Sequence, residues 1–175
     1  FAYPYAEWFF GDQADKFRFA HLQEALTFVP FGVAVDEFQH ICYANPELTP
    51  KERTYQWHLL EEKYMPWRRY ENDAFMERGG YWYHKLHIYL YPFYYINYTL
   101  TTMGAMEFKK KYAENKQTAW EDYLKLCKTG GSRSYLETLR YADLANPFEE
   151  GSVRRACSYA EKILLEQIAA QEQQA

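Results

Sequence analysis

Apolar positions recur at helical spacing along nearly the whole chain. Phe17, Phe19, Leu22 and Leu26 mark a helix over Asp12–Thr27. Pro30 and Gly32 then predict a break, with a second helix over Val33–Tyr43 that carries Val35, Phe38, Ile41 and Cys42 on one side. Asn45-Pro46 ends it, because the residue before a proline disfavours the helical region. Thr49-Pro50-Lys51-Glu52 has the form of a helix start: an N-cap threonine, a first-turn proline and a glutamate three residues on. That helix runs to about Tyr64. Pro66–Gly80 is looser, with Gly79-Gly80 as a hinge or turn. A further helix is predicted from near Pro92 to about Asn115. A short amphipathic helix over Thr118–Lys128 follows, closed by Gly130-Gly131. Ser134–Leu144 and Ser152–Ala170 complete the pattern, and the polar tail AAQEQQA is expected to fray. There is no internal repeat and no strand hairpin. The expected fold is all-α, with residues 1–175 forming a single multi-helix region.

Composition narrows the function. The net charge is −4, and no basic stripe offsets it, so a nucleic-acid partner is not expected. Lys109-Lys110-Lys111 is followed by Glu114 and reads as a solvated helix face. Cys42, Cys127 and Cys157 are odd in number and far apart, without CxxC spacing. Reduced thiols and a cytoplasmic setting are the simplest reading. Apolar runs are short and interrupted, so no membrane span is expected. FAYPYAEWFF is strongly apolar from Phe1 onward. It reads as the middle of a buried element, and the chain as a C-terminal fragment of a larger catalytic domain.

The segment Tyr81–Tyr98, YWYHKLHIYLYPFYYINY, holds seven tyrosines and two histidines. Tyrosine brings a hydroxyl that needs a partner when buried. If a helix starts at Pro92, Tyr91, Tyr95 and Tyr98 fall at i, i+4 and i+7 on one face. Tyr94 and Asn97 lie beside that stripe, and His84 and His87 precede it. Spacing alone leaves two readings open. One is a tyrosine-rich core stripe; the other is a wall of neutral donors for a polar substrate or a developing oxyanion.

Other constellations are weaker. Glu37 and His40 form an ExxH pair on one helix face, but no second such pair exists for a di-iron site. A satisfied Glu/His hydrogen bond is the expected reading. His21 and His58 are isolated interfacial residues. Neither glycine pair matches a phosphate-binding loop, and no HExxH, GxSxG or DxDxDG is present.

Five segments carry a resemblance: FGVAVDEFQH (31–40), PELTPKER (46–53), LHIYLYPFYYINY (86–98), AWEDYLKLCKTGGS (119–132) and NPFEEG (146–151). In this order they resemble the C-terminal part of oligoendopeptidase F, a cytoplasmic zinc metallopeptidase family related to thimet oligopeptidase. The resemblance implies an all-α, deep-channelled peptidase acting on short peptides. The family's zinc ligands and general base lie on HExxH and a downstream glutamate, both outside the matched segments. Zinc therefore belongs to the full-length enzyme, and no residue of this chain is expected to bind it.

What the resemblance leaves here is the opposing wall. His87 matches the family histidine of LHIY, and Tyr95 and Tyr98 match tyrosines of PFYYIDY. Their implied role is catalytic: hydrogen bonds to the scissile carbonyl as it becomes tetrahedral. Tyr91, Tyr94 and His84 are implied substrate-binding residues. The implied partners are short peptides and the N-terminal remainder of the same protein, with neither nucleic acid nor membrane. Departures are Asn97 in place of the pattern's Asp, Tyr91 in place of a small residue, and Leu90 in place of an acid. The alternative is a non-enzymatic helical module with an aromatic cleft for a peptide or apolar ligand.

Overall fold

The computed structural model describes residues 1–173. Among these there are helices, 3-10 turns and connecting turns, and no strand. The helices are α1 (Glu7–Phe10), α2 (Ala14–Ala44), α3 (Pro50–Tyr64), α4 (Ala74–Glu77), α5 (Leu86–Leu90), α6 (Ile96–Glu114), α7 (Lys116–Thr129), α8 (Tyr135–Tyr141) and α9 (Ser152–Glu172). The all-α expectation therefore holds. The chain divides into two compact units, Thr27–Thr99 and Phe1–Leu26 with Leu100–Ala175.

Helix starts follow local chemistry. Thr49 caps α3 through a complete capping box with Glu52, and Pro50 sits in the first turn. Asn115 caps α7 by accepting from the Thr118 N–H. Ser134 and Glu137 form a second capping box at α8. Gly79 takes a left-handed φ of 96°, and a Cβ there would lie 2.2 Å from the Thr54 carbonyl oxygen. The Gly79-Gly80 pair is a tight turn packed on α3 rather than a hinge.

The expected break at Pro30-Gly32 is absent, because α2 runs unbroken for 31 residues with Pro30 inside it. A mid-helix proline costs about 3 kcal/mol. Burial of Phe31, Ala34, Val35 and Phe38 on the same helix offsets this, at about 1.5–3 kcal/mol for each large side chain. Gly32 serves packing instead. A Cβ there would meet Thr99 Oγ1 at 1.8 Å and Thr99 Cβ at 3.2 Å, so only glycine lets α2 approach the start of α6 this closely.

The core of the unit Thr27–Thr99 joins those α2 residues to Trp57 and Leu60 of α3, and to Met65, Trp82 and Tyr95. Trp57 is fully buried, edge-on to Phe31 at 6.2 Å and to Phe38 at 5.4 Å. Its indole N–H has no partner, so the ring is held by shape and aromatic contact alone.

In the other unit, Phe108, Leu139, Ala142 and Leu144 form a core with Tyr123 and Leu126 packed on it. Ala156, Ala160 and Leu164 give α9 a buried stripe at i, i+4 and i+8. The lysine run is not uniformly solvated. Lys110 faces Glu114 at 3.8 Å, but Lys109 lies over the Tyr3 ring at 4.2 Å. Lys111 bridges Asp122 and Asp143, each at 2.7 Å. Asp122 is buried and also meets Lys125 at 2.6 Å. The ammonium of Lys111, then that of Lys125, holds its carboxyl below the usual carboxylate range. A carboxyl whose folded pKa is depressed stabilises the fold above its unfolded value, and loses that effect as pH falls through the depressed value. Stability of the intact protein is therefore expected to drop below about pH 4, and Asp122→Asn to flatten that acid limb in pH-dependent melts. An unchanged limb rejects the assignment.

The N-terminal expectation is only partly met. The Phe1 ring nests among Phe108, Tyr112, Trp120 and Tyr123 at 5.0–6.1 Å, and Ala6 is buried. Trp8 and Phe9, however, are each 78% exposed. At the other end α9 stays helical through Glu172, so most of the tail expected to fray is ordered, while its last two residues, 174–175, lie outside the described residues.

Candidate functional site

His87 sits on the short helix α5, and four tyrosines surround its ring. Tyr95 stands edge-on at 5.1 Å, Tyr98 edge-on at 5.6 Å, Tyr91 tilted at 5.9 Å and Tyr94 parallel at 6.5 Å. The Tyr98 hydroxyl and His87 Nε2 are 3.4 Å apart, at the outer limit of a hydrogen bond. His84 is not in this group; its ring lies edge-on to Tyr81 at 5.8 Å.

The group forms by a route the helical spacing does not describe. α6 begins at Ile96, not near Pro92. Tyr91 closes α5, with its N–H on the His87 carbonyl at 2.9 Å. Between the helices, Phe93 takes φ = 59°. For a bulky residue this region costs about 1–3 kcal/mol and persists only where the surroundings hold it. Gln39 provides that hold. It is 1% exposed, and its side-chain oxygen accepts the Phe93 N–H at 3.0 Å. The Phe93 ring packs on His40 at 4.7 Å and Tyr43 at 5.0 Å. At the start of α6, Asn97 Nδ2 donates to the Tyr94 carbonyl at 2.8 Å. A carboxylate at that position could not donate this bond.

Gln39 is the positioning residue that sequence reasoning missed. It falls inside DEFQH, where attention goes to Glu37 and His40. Those two do not pair. Glu37 takes hydrogen bonds from Lys63 at 2.9 Å and from the Tyr64 hydroxyl, while His40 faces Asp36 at 3.4 Å. The partners of Glu37 lie on α3, far along the chain, and the i, i+4 neighbour Asp36 is the better placed acid for His40. His21 meets the Tyr3 hydroxyl at 2.7 Å, and His58 meets Glu62 at 3.4 Å.

Tyr95 and Tyr98 are held as neutral phenols. Burial, then Tyr81 and Tyr98, pushes the Tyr95 hydroxyl above the ordinary tyrosine value. Desolvation, then Tyr94, pushes Tyr98 the same way. Both keep a donor proton across the physiological range. The ring of Tyr95 is buried against Phe28 and Phe31. Its hydroxyl nonetheless has no protein partner among the described residues, and it is not one of the sealed orphan atoms. The donor is therefore open to an incoming acceptor.

A cleft of about 240 Å³ in the same unit is lined by His58, Glu61, Arg68 and Tyr70 among others. Its polar groups satisfy one another: Tyr70 donates to Glu61, and Arg68 lies 3.4 Å from the same carboxylate. Among the described residues no group of three or more His, Cys, Asp or Glu side chains could hold a metal ion. These residues do not fit a zinc site. None of the described helices is long and apolar enough to cross a membrane.

The described residues thus form an all-helical structure in which four tyrosines gather around one histidine. The model of peptidase family M3 matches residues 10–156. The chain belongs to that family. Among solved structures, one named as oligoendopeptidase F is 48% identical, with a TM-score of 0.88 over 93% of this chain and 29% of its own. PZ peptidase A with an inhibitor is 46% identical, with a TM-score of 0.89 over 94% of this chain and 29% of its own. A Bacillus anthracis protein named as oligoendopeptidase F is 41% identical, with a TM-score of 0.76 over 94% of this chain and 26% of its own. No curated protein matches the chain. The chain thus spans less than a third of the length of the structures it resembles.

Proposed function

We propose that this chain is the C-terminal helical part of a cytoplasmic zinc oligoendopeptidase that cleaves short peptides. Both compact units belong to its catalytic domain. In this reading, Tyr95, Tyr98 and His87 hydrogen-bond the scissile carbonyl oxygen, with the bonds strengthening as negative charge develops there. Tyr91 and Tyr94 line the peptide beside them. His84, packed on Tyr81, stands apart from that line and supports the turn.

The supporting observation is the Tyr95 hydroxyl: a neutral donor without a protein partner among the described residues, on a buried ring in contact with His87. A tyrosine that served only packing would bury its hydroxyl on a carbonyl. The described residues do not assemble a site for the metal, so their proposed part in the reaction is to hold the peptide and its carbonyl oxygen.

The reading is tested on the full-length protein with internally quenched peptides of graded length. Cleavage is expected, with loss on chelation and recovery with zinc. Peptide binding without cleavage, unaffected by chelation, contradicts it.

A further inference from the structure

Lys85 precedes α5, and its ammonium lies over three rings: 4.8 Å from the centre of Phe31, 5.7 Å from Tyr95 and 5.9 Å from Tyr81. Arg68 shares that platform, 4.3 Å over Tyr81 and 5.3 Å over Phe31. Two cations thus share the rings of Phe31 and Tyr81, and Lys85 also reaches Tyr95. Glu61 lies 3.4 Å from Arg68. Lys85 has no carboxylate and no hydrogen-bond partner among the described residues, yet its nitrogen is not a sealed orphan. Burial, then the like charge of Arg68, lowers its pKa. A half-buried ammonium facing a second cation is unfavourable, and contact with ring faces offsets only part of that. An incoming anion offsets the rest.

We propose that Lys85, supported by Arg68, is a carboxylate-binding subsite that selects peptides by their free C-terminus. The inference rests on the peptidase reading above. An extended peptide advances about 3.3–3.6 Å per residue. Lys85 Nζ lies 5.7 Å from the Tyr95 ring centre, so a terminal carboxylate one or two residues past the carbonyl held by Tyr95 comes within its reach. An acidic side chain at that distance offers the same chemistry, so the test separates the two sources.

The full-length zinc enzyme is assayed on three matched peptides: one with a free C-terminus, one amidated, and one amidated with a glutamate in the last position. A charge-assisted hydrogen bond of this kind corresponds to about a tenfold to a hundredfold effect. The wild-type enzyme is expected to favour the free carboxylate by that factor in kcat/KM, mainly through KM. Lys85→Met is expected to bring kcat/KM on the free acid down to that on the plain amide, erasing the preference, and Lys85→Arg to retain it. If the glutamate peptide matches the free acid, the subsite reads any carboxylate and C-terminal selection is overturned. Equal kcat/KM for free and amidated peptides in the wild type overturns the subsite without any variant. So does an equal loss on both in Lys85→Met. Failure of the wild type to cleave any of the three rejects the peptidase reading instead.

Discussion

Tyr95→Phe in the full-length enzyme is expected to lower kcat by about a hundred- to a thousandfold, the usual consequence of removing one donor from a developing oxyanion. The change deletes a single oxygen. The Tyr95 ring stays buried against Phe28 and Phe31, and the hydroxyl bonds to no protein group whose loss could disturb the fold. Melting temperature, zinc content and KM are expected to stay close to wild type. That combination separates the proposed role from a structural one. A tyrosine that mattered only for packing would shift the melt and leave kcat intact. Steady-state kinetics with metal analysis on the purified variant decides between them.

Trp57→Ala is expected to destabilise the protein by about 3–5 kcal/mol, the usual range for emptying a large aromatic site in a core. Trp57 is 0% exposed. It stands between α2 and the Gly80–His84 turn through Phe31, Phe38 and Tyr81. Phe31 in turn touches Tyr95 at 5.9 Å, so the cavity opens directly beneath the tyrosine cluster. Trp57→Phe should cost much less, because it also removes the unpartnered indole N–H. Denaturant unfolding of both variants checks the order. Equal destabilisation would mean that a contact specific to the indole, not filling of the core, sets the cost.

Which parts of the fold were legible follows from the range of the interactions. The starts of α3 and α8 depend on residues three apart, Thr49 with Glu52 and Ser134 with Glu137, so a local pattern suffices. The continuity of α2 was not legible. Pro30 and Gly32 look like a break until Thr99 is seen against Gly32, 67 positions further on. The start of α6 was misplaced for the same kind of reason. The Phe93 backbone is held by Gln39, 54 residues earlier, and no local rule anticipates it. The membership of the aromatic cluster around His87 was legible, but not its construction. Resemblance named His87, Tyr95 and Tyr98, and the helical stripe placed Tyr91 beside them on a helix that does not contain it. Tyr91 reaches His87 from the end of α5, not from α6. Glu37 and Lys111 show the opposite failure, since their partners lie far along the chain, Lys63 for one and Asp122 with Asp143 for the other, while His40 pairs with Asp36 rather than Glu37.

The central claim is that the Tyr/His wall stabilises the transition state, not the bound substrate. The most direct test compares a non-cleaved substrate-like peptide with a tetrahedral phosphinic analogue, each titrated against wild type and Tyr95→Phe full-length enzyme. The analogue is expected to bind more weakly to the variant by about the same factor by which kcat falls, while the substrate-like peptide binds equally to both. Loss of the two affinities in parallel, or an unchanged affinity for the analogue, contradicts the claim.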